Sequence, residues 1–168
     1  MPDRDGPLEA AFIPYGKQEI GDADIKAVVE ALCSGWLTTG PHVSEFEKEF
    51  AAHCGAAEGV AVNSGTAALH CAMRALGIQP GDEVIVPAIT FAASANAALY
   101  EGATPVFADV EADTLLIDPV SVAMKITPKT KAIVAVDYAG QPADYDALRD
   151  LVRGRGISIV ADACHAPG

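Results

Sequence analysis

Short apolar runs that alternate with stretches of helical period constrain this chain more than any other feature. Ile133-Val134-Ala135-Val136 offers no polar residue for a solvent-facing side. Strands of that kind are expected where helices cover both faces of a parallel sheet. Val60 to Val62 is followed by a helical stretch over Ala67 to Leu76, Glu83 to Val86 by one over Ala92 to Tyr100, and Pro105 to Phe107 by a short one near Val120 to Ile126. Ala132 to Val136 precedes a helix over Tyr145 to Arg153, and Ile157 to Ala161 reads as a final, central strand. The expected fold class is α/β, a mostly parallel sheet with helices on both faces.

Ahead of this alternation the pattern is helical. Residues 1–21 carry Pro and Gly with little periodicity and read as an extended arm. Asp22 to Ser34 places Ile25, Val28, Val29 and Leu32 on one helical face, with Gly35 as the stop. Trp36 to Pro41 is rich in turn residues and holds the single Trp, expected as a packing anchor. A second helix is expected from Val43 to Cys54, with Val43, Phe46, Phe50 and Ala51 inward. The expected organisation is therefore an arm over 1–21, helices and a loop over 22–55, and an α/β domain over 56–168.

The formal charge of −12 is spread along the chain without a basic cluster. Nucleic-acid backbones and anionic membranes both demand clustered Lys and Arg, so neither is an expected partner. The first residues lack a basic start and an apolar core, and no later run is long enough to span a bilayer, so a cytoplasmic protein is expected. Cys33, Cys54, Cys71 and Cys164 form no C-x-x-C pair and sit among apolar or small residues, which favours buried, reduced thiols over disulfides or zinc. His53-Cys54 and His70-Cys71 are sequence neighbours that point in different directions on a helix, so no metal site is expected.

Ligands of such sheets gather at the carboxyl ends of the strands. Asn63-Ser64-Gly65-Thr66 precedes an Ala/Leu-rich helical stretch. A helix N-terminus there could hold an anion on unpaired N–H groups, or Asn63 or Ser64 could simply cap the helix. Asp162, at the end of an apolar strand, needs a cationic or donor partner, or else acts as a cap or loop ion pair. His165 follows it and is equally compatible with an ordinary loop position. Neither G-x-G-x-x-G nor a P-loop occurs. The order Ser64, Asp137 or Asp162, His165 matches that of an α/β-hydrolase triad, but Val62 stands where a nucleophile elbow needs Gly.

Asn63 to Leu69, Pro87 to Ala97, Val136 to Asp144 and Val160 to Gly168 together resemble the successive signatures of the DegT/DnrJ-type sugar aminotransferases, from about Ile13 to the last residue. The resemblance implies the large cofactor-binding domain of a fold type I enzyme using pyridoxal 5′-phosphate. It implies a keto group on a nucleotide-linked sugar as substrate, glutamate as amino donor, and a homodimer or higher oligomer. Within the family, the Val-Asp-Tyr-Ala-Gly wording around Asp137 is most similar to enzymes acting on a UDP-linked 4-keto-6-deoxy-N-acetylhexosamine. Residue by residue, Gly65 and Thr66 would hold the cofactor phosphate, Phe91 would stack on its ring, Asp162 would pair with the pyridinium nitrogen, and His165 would lie close to the cofactor. Thr38 and Thr39 match a loop on the substrate side.

The same resemblance implies a Schiff-base lysine beyond the Asp-x-x-His motif. Lys17, Lys26, Lys48, Lys125, Lys129 and Lys131 all precede Asp162. The expectation is thus an N-terminal portion of such an enzyme, inactive alone and self-associating through uncovered apolar surface. A non-catalytic binding or scaffold protein of the same fold is the second reading, and a Ser hydrolase the third.

Overall fold

The computed structural model describes residues 19–166. The chain divides into two compact units, Met1–Gly59 and Val60–Gly168. The arm expected over residues 1–21 lies, up to residue 18, outside the described residues.

The first unit holds two helices, α1 (Asp22–Cys33) and α2 (Pro41–His53). Asp24 Oδ2 accepts the Gly21 N–H at 2.7 Å, which satisfies a donor at the start of α1. Pro41 opens α2 with a φ already suited to a helix. Ile25, Val28, Val29 and Leu32 of α1 are each more than half exposed. In α2 only part of the expected inward set is covered: Ala51 is buried, whereas Val43, Phe46 and Phe50 are exposed. Two helices offer little apolar area to one another, and the Phe46 and Phe50 rings, one turn apart, stack at 5.5 Å instead. Trp36 is likewise exposed rather than a buried anchor.

The second unit contains α3 (Gly65–Ala75), β1 (Glu83–Pro87), α4 (Ala92–Tyr100), β2 (Thr104–Ala108), α5 (Pro119–Lys125), β3 (Thr130–Val136), α6 (Tyr145–Val152) and β4 (Ser158–Asp162). All strand pairs are parallel, in the order β2-β1-β3-β4. Period-2 geometry sends alternate residues to opposite faces. Val84, Val86, Ala132, Val134 and Val136 join Leu69 and Met73 of α3 and the alanines of α4 in one core. Ile85, Ile133 and Ala135 join Val122 of α5 and Leu148 of α6 in the other. The expected α/β architecture, a parallel sheet with helices on both faces, is what the chain forms.

Two further expectations are corrected, for Val60 to Val62 and for the cysteines. Val60 to Val62 is not among the strands of the sheet, and Val60 is 80% exposed. A three-residue apolar run becomes a strand only where a ladder partner stands beside it. Among the described residues β4 pairs on one side, with β3, and its Ile159 and Val160 are only half-buried. The cysteines are free thiols as expected, but all four are exposed. On α3, Leu69 and Met73 face the sheet, and Cys71 is turned about 200° from Leu69 by the helical period. Cys33 and Cys54 sit at helix ends, and Cys164 lies in the loop after β4.

Among the described residues no helix is long and apolar enough to cross a membrane. Ile133 is fully buried on β3. Ile133→Ala is expected to lower unfolding free energy by about 2–5 kcal/mol. Val120→Ala, at a site 67% exposed, should change it by no more than about 0.5 kcal/mol. Denaturant titration of both variants checks the contrast.

Candidate active site at the carboxyl ends of the strands

From β1 the chain passes through α4 to β2 on one side, then through α5 to β3 on the other side of β1. That reversal makes the carboxyl ends of β1 and β3 a topological switch point, where parallel sheets take ligands. Ala88 to Phe91 follow β1, Asp137 to Gly140 follow β3, and Ala163 to His165 follow β4. The N-terminus of α3 lies at the same end, because Gly65 sits against Cys164.

Ser64 is the N-cap of α3, with Oγ accepting from the Ala67 N–H at 3.2 Å and its carbonyl from the Ala68 N–H at 3.0 Å. Capping is therefore what Ser64 does, and it leaves the N–H groups of Gly65 and Thr66 without an acceptor among the described residues. A Cβ at Gly65 would stand 2.9 Å from Cys164 Sγ. A side chain at position 65 would force that thiol aside, and the bare backbone at the positive end of α3 is suited to an anion.

Asp162 ends β4 and is buried. Its Oδ2 accepts the Ser94 hydroxyl at 2.7 Å, and Ser94 Oγ lies 2.7 Å from Thr90 Oγ1. The Cys164 thiol is hydrogen-bonded to the same carboxylate; that bond, then burial, then the carboxylate charge push the thiol up to about 11. The partner that a strand-end carboxylate demands is thus met by neutral donors.

Asp137, also buried, accepts from the Ala143 N–H at 2.9 Å and from the Tyr145 hydroxyl at 2.8 Å. Burial first, and then the bond to and charge of Asp137, hold the Tyr145 phenol far above its ordinary range. These bonds tie down the 3-10 turn Tyr138–Gly140, in which Ala139 takes a φ of 55°. The turn sets the Tyr138 ring 6.3 Å from the His165 ring. Phe91 is the N-cap of α4, 78% exposed and three residues before Ser94.

The structure therefore brings Gly65, Thr66, Asp162 and His165 to one end of the sheet, with Phe91 on the adjoining turn. Thr38 and Thr39 belong to the other unit, in the turn between α1 and α2, where Thr39 has a φ of 54°. The hydrolase order does not become a triad: Ser64 Oγ serves as a helix cap, and the carboxylates of Asp137 and Asp162 take the hydroxyls of Tyr145 and Ser94. Sequence reasoning assigned no role to Thr90, Ser94 or Cys164. The available signal was a Thr and a Ser one turn apart in an otherwise alanine-rich segment.

A model of the DegT/DnrJ/EryC1/StrS aminotransferase family matches residues 18–168. The chain is 51% identical over 155 residues to the spore coat polysaccharide biosynthesis protein SpsC of Bacillus subtilis (strain 168), covering 92% of this chain and 40% of that protein. Among solved structures, S. venezuelae DesV in complex with a ketimine intermediate matches at a TM-score of 0.82 and 47% identity, over 86% of this chain and 39% of that one. The PLP form of the putative sugar aminotransferase Spr1654 from Streptococcus pneumoniae matches at 0.86 and 40% identity, over 92% and 43% respectively. The chain spans about two fifths of the length of these relatives.

The Cys164 geometry is open to direct test. The thiolate is the reactive form, so alkylation of Cys164, followed by peptide mapping, should rise with pH about a midpoint near 11. Asp162→Asn should bring that midpoint down. The linkage to stability has a definite sign: with an ordinary value of 9.0 in the unfolded chain and about 11 in the folded one, the contribution is complete below 9.0 and is lost as pH rises from there through 11.

Proposed function

Because the chain belongs to the DegT/DnrJ/EryC1/StrS aminotransferase family, we propose that it serves pyridoxal-phosphate-dependent amination of a keto group on a nucleotide-linked sugar, with glutamate as donor. The observation that carries this reading is the joining of two complementary sites. Cys164 Sγ lies against Gly65 at the helix N-terminus and hydrogen-bonds Asp162, so an anion cradle and a buried carboxylate lie together at one end of the sheet. A ligand with a phosphate at one end and a cationic ring nitrogen at the other fits that pair.

In this reading the N–H groups of Gly65 and Thr66 hold the phosphate, aided by the α3 dipole. Asp162 accepts the proton-bearing ring nitrogen. The exposed Phe91 ring would stack on the cofactor, with His165 close to it, while the family resemblance alone assigns Thr38 and Thr39 of the first unit to the substrate. When bound, the cofactor supplies an electron-poor ring that takes up the electrons of a substrate carbanion. Asp162 makes that possible by keeping the proton on the nitrogen. The exposed apolar stripe Ile25, Val28, Val29 and Leu32 supports a homodimer.

The lysine that such chemistry needs as covalent anchor and base has no counterpart among Lys17, Lys26, Lys48, Lys125, Lys129 and Lys131, which all precede Asp162. These 168 residues alone should therefore yield no amino sugar from glutamate, pyridoxal phosphate and a keto-sugar nucleotide. Turnover by the purified chain would refute this. Binding is the primary test: fluorescence titration should show saturable pyridoxal phosphate binding, weakened at least about tenfold by Asp162→Ala, which removes a charge-assisted bond. In a lysine-bearing full-length enzyme the same substitution should cost several orders of magnitude in turnover. Unchanged binding by the variant would return Asp162 to a purely structural role.

A further inference from the structure

We propose that Ser94 and Thr90 are positioning residues, forming a hydroxyl relay that runs from Thr90 through Ser94 to Asp162 and fixes that carboxylate relative to the Phe91 turn. The proposal rests on the cofactor assignment above and adds to it two residues and a direction.

Ser94 is fully buried on α4, between Ala93 and Ala95 and ahead of Ala97 and Ala98, all buried in the same core. A hydroxyl in such surroundings is costly unless both its donor and its acceptor capacity are used. Both are used here. An ionised carboxylate can only accept, so the single Ser94 proton goes to Asp162 Oδ2 at 2.7 Å. Ser94 Oγ then has only lone pairs to offer Thr90 at 2.7 Å, and the Thr90 proton must point to Ser94. The relay therefore has one possible sense, with both hydroxyl protons directed toward Asp162.

Its placement gives it a second consequence. Asp162 ends β4, whereas Thr90, Phe91 and Ser94 follow β1, and β3 stands between the two strands. The Ser94–Asp162 bond spans that gap. It ties the turn carrying Phe91 to the carboxylate, so the contact with the cofactor's ring face and the contact with its ring nitrogen share one fixed reference. A buried serine that merely satisfied itself against a helix carbonyl would do neither.

The experiment compares two ligands on the full chain by fluorescence titration: pyridoxal phosphate, and the analogue in which the ring nitrogen is replaced by C–H. Both engage the phosphate cradle, but only the first needs Asp162. Ser94→Ala is expected to weaken pyridoxal phosphate about tenfold and leave the analogue unchanged. Ser94→Thr, which keeps the hydroxyl, should restore the affinity. Thr90→Val, at a half-buried site, should shift pyridoxal phosphate in the same direction by less, and it carries the test where Ser94→Ala fails to fold by circular dichroism. Equal losses for both ligands, or no loss for pyridoxal phosphate, would overturn the relay. A wild-type chain that binds neither ligand would instead overturn the cofactor assignment, and the relay with it.

Discussion

A parallel sheet must hide both of its faces, and the larger unit is arranged by that demand. Strands apolar on both sides, such as Ile133-Val134-Ala135-Val136, send alternate residues into two separate cores. Each core needs its own helices, so α3 and α4 lie over one and α5 and α6 over the other. Helical crossovers in turn keep every strand pointing the same way, so the polar residues that end the strands gather at one end. The site is a consequence of the packing, since the same connections that cover the sheet bring Thr90, Asp137, Asp162 and the start of α3 to one end.

Two buried carboxylates end neighbouring strands there, and their surroundings separate their roles. Leaving either without donors would cost far more than a single hydrogen bond returns, because each bond to a charged group contributes only about 1.5–3 kcal/mol. Asp137 receives a backbone N–H and the Tyr145 phenol, both from the loop that follows it, so its bonds close a local turn. Asp162 receives a hydroxyl from another crossover and a thiol from its own loop. Its bonds connect distant segments and join the helix N-terminus to the strand end. A carboxylate held in that way is placed with respect to the whole site.

Periodicity made the sheet and its helices legible: Ala92 to Tyr100 and the strands around Ile85 and Ile133 stand where the apolar spacing puts them. It could not report who stands opposite. Val60 to Val62 has the composition of a strand without a ladder, and Phe46 and Phe50 have the spacing of a core face without a core to enter. The cysteines were misjudged because small-residue neighbours signal burial only when the helix phase agrees, and at Cys71 it does not. Asp162 was visible as a carboxylate in need of donors. Its donors were not, because Ser94 is far away in sequence and looks like one more small residue in an alanine-rich helix. Gly65 is legible as a residue that could hold a phosphate, but its neighbour Cys164 Sγ emerges only from the fold.

The turn ahead of α2 shows the same dependence of a local conformation on its setting. Thr39 has a φ of 54°, in the left-handed region, where a β-branched side chain is strained by about 1–3 kcal/mol. Such a residue persists only where its neighbours over-determine it. Gly40 follows with a φ of 99°, and a Cβ there would meet Trp36 Cβ at 2.9 Å, so the indole stem sits directly on the glycine. Pro41 then fixes the next φ and starts the helix. Trp36 and Pro41 thus flank Gly40 from both sides, and the role of an exposed Trp in this short loop is to pack its stem on that glycine, ahead of the helix that Pro41 opens, rather than to bury its ring.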